Sequence, residues 1–349
     1  MSTQMDNIFQ ILPELPKPFI TPSCISFKDE ILICGGYETN CCYSYHTLKK
    51  QYKYICSYPN GVRFNAHCIV QLAHPQADSN EIHLLSFGGQ DKNKIKQTFS
   101  MKYKSVWEIS DNHCNSKSDH DSISQNVNNW TRFAENCSIG KLEDSLRGLC
   151  GLIGGKNNDL LFITCYPEDI EVINLKTMKP LTGIKNNIIP KGEHKLGIQY
   201  HCFVPLTIEN EKVANHFILF CYNTGLLIKY DEQNKIFNYE KLPICPALSD
   251  FALYSKYERS KLVHKYSMKK KTWDKCKFTL PAEIYGSFAI LSGNDTSVHI
   301  IGGEVQKMHM SINVHELFER SELLKMAEMY GKMIELKKEI AQIKLERPY

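Results

Sequence analysis

YDEQNKIF, running from Tyr230 to Phe237, places one aromatic residue seven positions before another, with a polar turn between them. Such a pattern reads as two short strands joined by a tight connection. The same spacing recurs from Tyr45 to Tyr52 and, as YSMKKKTW, from Tyr266 to Trp273. A fourth copy, INLKTMKP from Ile173 to Pro180, keeps the spacing but ends in proline. In a second repeat Trp107 and Trp130 are expected to hold the two positions, separated by an extra polar stretch.

Upstream of these hairpins lie short apolar runs: ILICGG (Ile31 to Gly36), IHLLSFGG (Ile82 to Gly89), LLFITCY (Leu160 to Tyr166), FILFCY (Phe217 to Tyr222) and VHIIGG (Val298 to Gly303). They are too short for helices and rich in branched and aromatic residues, which favours strands. Apolar at nearly every position, they fit strands covered on both faces. Glycine pairs close three of the runs, Gly35-Gly36, Gly88-Gly89 and Gly302-Gly303, whereas Cys165-Tyr166 and Cys221-Tyr222 stand in their place in two others. Gly154-Gly155 falls one strand earlier, in a turn, and is a different feature.

Strand, Gly-Gly, strand, polar turn, and a strand ending in an aromatic residue resembles the kelch repeat, over roughly residues 8 to 318. The resemblance implies an all-β, kelch-type β-propeller of about six blades. Glycine at the paired positions would let the chain turn and neighbouring blades approach closely. The fifth repeat passes from Phe251-Ala-Leu-Tyr254 almost directly to Leu262 and is expected to be shortened. The sixth lacks a fourth strand, and residues 8 to 12 are expected to supply it, covering an open edge.

The domain reading is therefore a propeller over residues 1–318 and an amphipathic helix in the tail, 319–349, with Leu323, Met326, Tyr330 and Met333 at helical spacing. Residues 110–129 are polar and read as a disordered insertion within the propeller.

The charges nearly balance, 42 basic against 38 acidic residues, so neither a nucleic-acid nor a membrane partner is expected. No secretory leader or long apolar segment is legible, and a cytoplasmic location follows as the expectation. The 14 cysteines include no C-x-x-C pair and are read as reduced, mostly buried thiols.

No catalytic, cofactor-binding or metal-binding residue is assigned, and no cofactor is expected. His67-Cys68 and His201-Cys202 carry residue types that ligate metals. Both pairs fall in the innermost strand of their repeats, where other repeats have Cys24, Cys150, Phe251 and Phe288, so packing is the expected role. Cys41-Cys42 is read as the start of a strand, and Ser118 to Asp121 as solvated loop. The lysines at 265, 269 to 271, 275 and 277 form a basic hairpin, read as a solvated turn. Gly154-Gly155-Lys156 lacks the rest of a phosphate loop, and neither G-x-S-x-G nor H-E-x-x-H occurs.

Function is accordingly expected to be that of a non-enzymatic protein-interaction module or adaptor, because a rigid ring presents variable loops on its rims. Candidate contacts are Tyr37, Glu38, Asn40, Gln90, Asp91, Lys92, Glu168 and Asn223, in loops that follow the glycine-bearing strands. The partner is expected to be an unidentified protein. Kelch adaptors that serve ubiquitin ligases bear a BTB domain, for which this chain has no room. Two alternatives remain open at this level. The resemblance extends to galactose-oxidase-type copper enzymes and a few sugar-modifying propellers, and the shortened fifth repeat also fits a degenerate or incomplete repeat protein.

Overall fold

A computed structural model describes residues 8–37, 39–73, 80–108, 127–133, 139–191, 197–208, 211–245, 260–304 and 307–317. The chain opens with a short strand, β1 (Gln10–Ile11), and then builds meanders. The first blade comprises β2 (Ser23–Phe27), β3 (Glu30–Cys34), β4 (Cys41–His46) and β5 (Gln51–Ser57). The second comprises β6 (Cys68–Leu72), β7 (Glu81–Phe87), β8 (Thr98–Lys104) and β9 (Thr131–Arg132). The third runs through β10 (Cys150–Gly154), β11 (Leu160–Cys165), β12 (Asp169–Asn174) and β13 (Lys179–Pro180), and the fourth through β14 (Cys202–Ile208), β15 (Glu211–Cys221), β16 (Thr224–Asp231) and β17 (Ile236–Lys241).

Two strands follow, β18 (Ser260–Ser267) and β19 (Thr272–Ile284), paired only with each other among the described strands. The last sheet joins β20 (Phe288–Leu291), β21 (Ser297–Ile301) and β22 (His309–Asn313) to β1. Innermost strands lie side by side: β2 against β6 and β20, and β10 against β6 and β14. The fold is a β-propeller.

Among the described residues five blades have four strands, where about six blades, the fifth shortened, were expected. The fifth repeat keeps its Tyr266–Trp273 hairpin but forms only a two-stranded sheet among the described residues. Phe251 to Tyr254, read as part of that repeat, lie outside the described residues, as do the C-terminal segment expected to be helical and nearly all of the polar insertion.

The hairpin spacing has a simple structural origin. Tyr45 stands opposite Tyr52, Tyr230 opposite Phe237, Tyr266 opposite Trp273 and Ile173 opposite Pro180. Seven residues is the separation of cross-strand partners flanking these turns, and the facing rings touch, with centroids 4.9, 4.7 and 5.1 Å apart in the three aromatic pairs. The second blade differs from the expectation. Tyr103, opposite Ile82 as Tyr45 is opposite Ile31, takes the third-strand position. Trp107 lies beyond the end of β8 and reaches back to the first blade, where its indole N–H donates to Ser44 Oγ at 2.8 Å. Trp130 stacks on Tyr58 with centroids 4.7 Å apart.

The apolar runs form central strands, and β3 is buried at every position. Their side chains fill the seams between blades. Phe162, Phe217 and Phe237 pack between the third and fourth blades, and Leu84, Phe99 and Tyr103 between the first and second. By register Gly35-Gly36, Gly88-Gly89, Cys165-Tyr166, Cys221-Tyr222 and Gly302-Gly303 occupy equivalent places at the end of the second strand of their blades. Glycine is demanded where the chain bends at positive φ against a neighbouring blade. A Cβ on Gly302, at φ 71°, would lie 2.3 Å from the Phe19 carbonyl oxygen, and one on Gly88 2.3 Å from Leu149 Cδ2.

The N-terminal strand closes the ring. Gln10 and Ile11 pair with Ser311 and Met310, and the Leu12 and Leu15 amides donate to His309 and Lys307 carbonyls at 3.0 and 2.9 Å. Phe9, Leu12 and Leu15 are buried there. A polar chain, buried at its histidine end, crosses the same seam: Tyr52 donates its hydroxyl to the Pro13 carbonyl at 3.0 Å, while His309 Nδ1 lies 2.5 Å from that hydroxyl and His309 Nε2 3.0 Å from His299 Nδ1. With Tyr52 already donating to Pro13, each contact is satisfied when His299 donates to His309 and His309 donates to Tyr52.

Candidate functional site at the channel mouth

Two residues before each of the five innermost strands, the backbone enters the left-handed region. Thr21, Ala66, Gly148, Tyr200 and Gly286 have φ of 50°, 54°, 59°, 50° and 68°. Three of them are not glycine, and such conformations persist only where the surrounding structure enforces them. Here the bends carry hydrogen bonds from blade to blade. The Thr21 amide donates to the Gly286 carbonyl at 2.8 Å and the Ala66 amide to Thr21 Oγ1 at 3.2 Å. The Gly148 amide donates to the Ala66 carbonyl at 3.1 Å and the Tyr200 amide to the Gly148 carbonyl at 2.7 Å. No sequence signal marks this belt, because the five positions share a conformation and not a residue type.

The belt rings a cavity of about 520 Å³ at the mouth of the central channel. Tyr200, Tyr222, Tyr285 and Phe288 give it aromatic walls, and Gln199 and Ser287 add polar groups. Among its described lining residues Arg147 carries the one formal charge at neutral pH. His67 and His201 also line it, and burial pushes both imidazoles down to about 3, so both are neutral. His201 Nε2 lies 2.6 Å from Thr164 Oγ1, which places that ring against the third blade.

Side chains of the second and fourth blades hold Arg147, which precedes the third. Its Nε–H donates to the Tyr200 hydroxyl at 3.0 Å, and that hydroxyl donates to Asn65 Oδ1 at 2.7 Å. One terminal nitrogen lies 3.5 Å from Asp91 Oδ1 on the second-blade loop. The Tyr200 contact raises the affinity of the guanidinium for its proton still further.

The candidate contact loops surround this mouth but are not equally available. Tyr37, Asp91 and Lys92 are exposed, and Glu168 accepts an ion pair from Lys191 at 2.6 Å. Gln90 is turned inward and buried, so it is not a rim contact, and Asn40 donates to the Tyr58 carbonyl at 3.0 Å as a loop brace. Asn223 is half-buried, and Glu38 lies outside the described residues. Beside the mouth, a cavity of about 640 Å³ opens between the second- and third-blade loops, lined by Lys92, Glu143, Tyr166, Asp169 and Glu171 among others. Burial, reinforced by neighbouring carboxylates, raises the Asp169 and Glu171 carboxyls above the usual range.

The histidine-cysteine pairs occupy equivalent places. By register Cys68 and Cys202 match Cys150, Phe288 and Ser23, so the first-blade equivalent is Ser23 and not Cys24. These positions bond to the next blade: Ser23 Oγ accepts from the Ile69 amide at 3.1 Å, and Cys150 Sγ donates to the His201 carbonyl at 3.1 Å. Burial pushes the Cys68 thiol up to about 12, and the Cys42 thiol, which accepts from the Trp130 indole at 3.2 Å, rises well above its ordinary value. Thiols so held are packing groups and weak nucleophiles. Among the described residues no group of three or more His, Cys, Asp or Glu converges as a metal ion would require. None of the described helices is long and apolar enough to cross a membrane.

No family model and no curated protein matches the chain. Solved structures do. The structure of YjhT aligns over 86% of this chain and 95% of its own, at 13% identity and a TM-score of 0.55. A structural-genomics protein of unknown function from Bacteroides thetaiotaomicron aligns over 87% of this chain and 71% of its own, at 7% identity and a TM-score of 0.48. A chain of the mitotic checkpoint complex covers 88% of this chain and 90% of its own at 9% identity and a TM-score of 0.42. The likeness to YjhT is one of fold.

Proposed function

We propose that this chain is a kelch-type propeller that acts as a non-enzymatic protein-interaction module, engaging a cytoplasmic protein partner through the rim at the channel mouth. The observation that carries the reading is aromatic exposure on that rim: Tyr37, Tyr166 and Tyr200 are 52%, 45% and 43% exposed. Tyrosine is enriched in recognition surfaces because it offers a large rigid face and a polar tip at little entropic cost. A propeller supports the reading, since its stacked blades fix the loops that carry these side chains.

The test compares capture of partner proteins from native extract by the full chain, by a Tyr37→Ala/Lys92→Ala/Tyr166→Ala variant, and by a Leu48→Ala/Lys49→Ala control on the opposite rim. All five side chains are exposed, so folding is expected to persist. A specific partner should be depleted about tenfold or more by the first variant and retained by the control, as expected when hot-spot aromatics are removed. Equal retention by both variants would overturn the assignment of the binding rim.

A further inference from the structure

We infer that the channel mouth is a carboxylate-binding pocket in which Arg147 is the anchoring group. The inference deepens the binding-module reading by naming the chemistry the mouth accepts, and it stands on three observations. Arg147 is the single formally charged side chain among the described residues lining the cavity. Its guanidinium is oriented before any ligand arrives, by the Arg147 Nε–H to Tyr200 hydroxyl bond at 3.0 Å and the Tyr200 to Asn65 bond at 2.7 Å, which draw on three different blades. The surrounding wall is aromatic and hydroxylic, so an anion with an apolar body fits better than a hydrated inorganic ion.

Each observation bears on chemistry. An arginine whose Nε is already used still presents its terminal N–H groups, and a planar fork of donors matches a carboxylate. Orienting a long side chain in the free protein removes the cost of ordering it on binding. Asp91, 3.5 Å from one terminal nitrogen, is itself exposed on a loop and is a partner that an incoming carboxylate would displace or share. Three of the five bent residues of the belt are not glycine, and the blade-to-blade bonds through them hold the pocket's shape.

The carboxylate has two possible sources, a glutamate or aspartate side chain on a partner's loop and a free organic acid. Saturation-transfer NMR on the full chain separates them with four probes: N-acetyl-glutamate α-amide and its neutral twin N-acetyl-glutamine α-amide, and phenylacetate and its neutral twin phenylacetamide. At least one acid is expected to bind at millimolar concentration, with its amide twin about tenfold weaker or more. Which acid binds more tightly identifies the source. Arg147→Gln should abolish the preference for acid over amide. Tyr200→Phe should weaken acid binding several-fold, and both variants should keep the unfolding midpoint of the parent, since both side chains are partly exposed.

Binding of neither acid, equal binding of acid and amide, or an unchanged preference in Arg147→Gln overturns the inference. Partner capture that depends on Tyr37 and Tyr166 but not on Arg147, with no carboxylate binding, would overturn this inference and leave the interaction-module reading intact.

Discussion

The seam between the third and fourth blades and the seam that closes the ring do the same job with different chemistry. The first is filled by Phe162, Phe217, Tyr230 and Phe237, whose rings contact one another at centroid distances of 4.7 to 6.2 Å. The second joins residues 257 positions apart in sequence, Tyr52 and His309, and includes the polar chain from His299 to Pro13. Apolar packing is non-directional, which suffices where adjacent repeats meet in chain order. Closing the ends of a long chain has to select one register for a two-residue strand, and directional hydrogen bonds in a water-poor seam do that.

The difference yields effects of graded size. Deleting residues 1–16 removes β1 together with Phe9, Leu12 and Leu15, which are 4%, 7% and 1% exposed. With several buried apolar side chains lost at once, the thermal unfolding midpoint should fall by more than about 10 °C. An unchanged melting curve would show that closure contributes nothing. Next in size is Phe162→Ala in the apolar seam, expected to cost about 3–5 kcal/mol in urea unfolding at neutral pH. Because its ring partners Phe217, Tyr230 and Phe237 do not titrate between pH 5 and pH 7, that cost should be the same at both.

The closing seam should instead respond to acid. Burial holds His299 down to about 4, and burial together with His299 holds His309 down to about 3, both below the ordinary 6.5. Protonation is therefore disfavoured in the folded state and available in the unfolded one. Stability is complete above about pH 6.5 and is lost as pH falls from there toward the folded values. At pH 5 the loss is roughly 2 kcal/mol per histidine. Comparing His309→Gln with the parent at pH 7 and pH 5 isolates its share: the variant should lose less stability on acidification. Equal losses would place the acid sensitivity elsewhere, for example at His67 and His201, which burial also depresses. The smallest effect is expected of Tyr52→Phe, which removes the hydroxyl between Pro13 and His309 and should cost about 0.5–1.5 kcal/mol at pH 7, read from the urea midpoint.

Much of the blade architecture was legible because its determinants are local. The Tyr-to-aromatic spacing reports register partners on either side of a short turn, and uninterrupted apolar runs report strands buried on both faces. The closing role of the N-terminus was legible too, since Ile8 to Pro16 resembles the ends of other repeats. The second blade was misread because Trp107 is the more conspicuous aromatic residue, whereas Tyr103 has the register of a third strand. Spacing cannot count positions across an insertion. The shortening of the fifth repeat was legible, yet it was still counted as a sixth blade, because it retains the hairpin by which repeats were recognised.

The candidate site was legible only as a rim. Tyr37, Asp91 and Lys92 are exposed around the mouth, but nothing in the chain marks Gln90 as turned inward. Arg147, Tyr200 and Asn65 lie far apart in sequence and in no common motif, and they meet because successive blades bring their loops to one axis. The sequence by itself determined the unit, a four-stranded meander with an aromatic hairpin, since contacts within a unit join residues a few positions apart. Tertiary structure alone decided that five units form four-stranded blades among the described residues, the belt of bent residues linked blade to blade, and the placement of a single guanidinium in the cavity it rings. Those depend on distances between residues of different blades, which ring closure sets and local pattern does not encode.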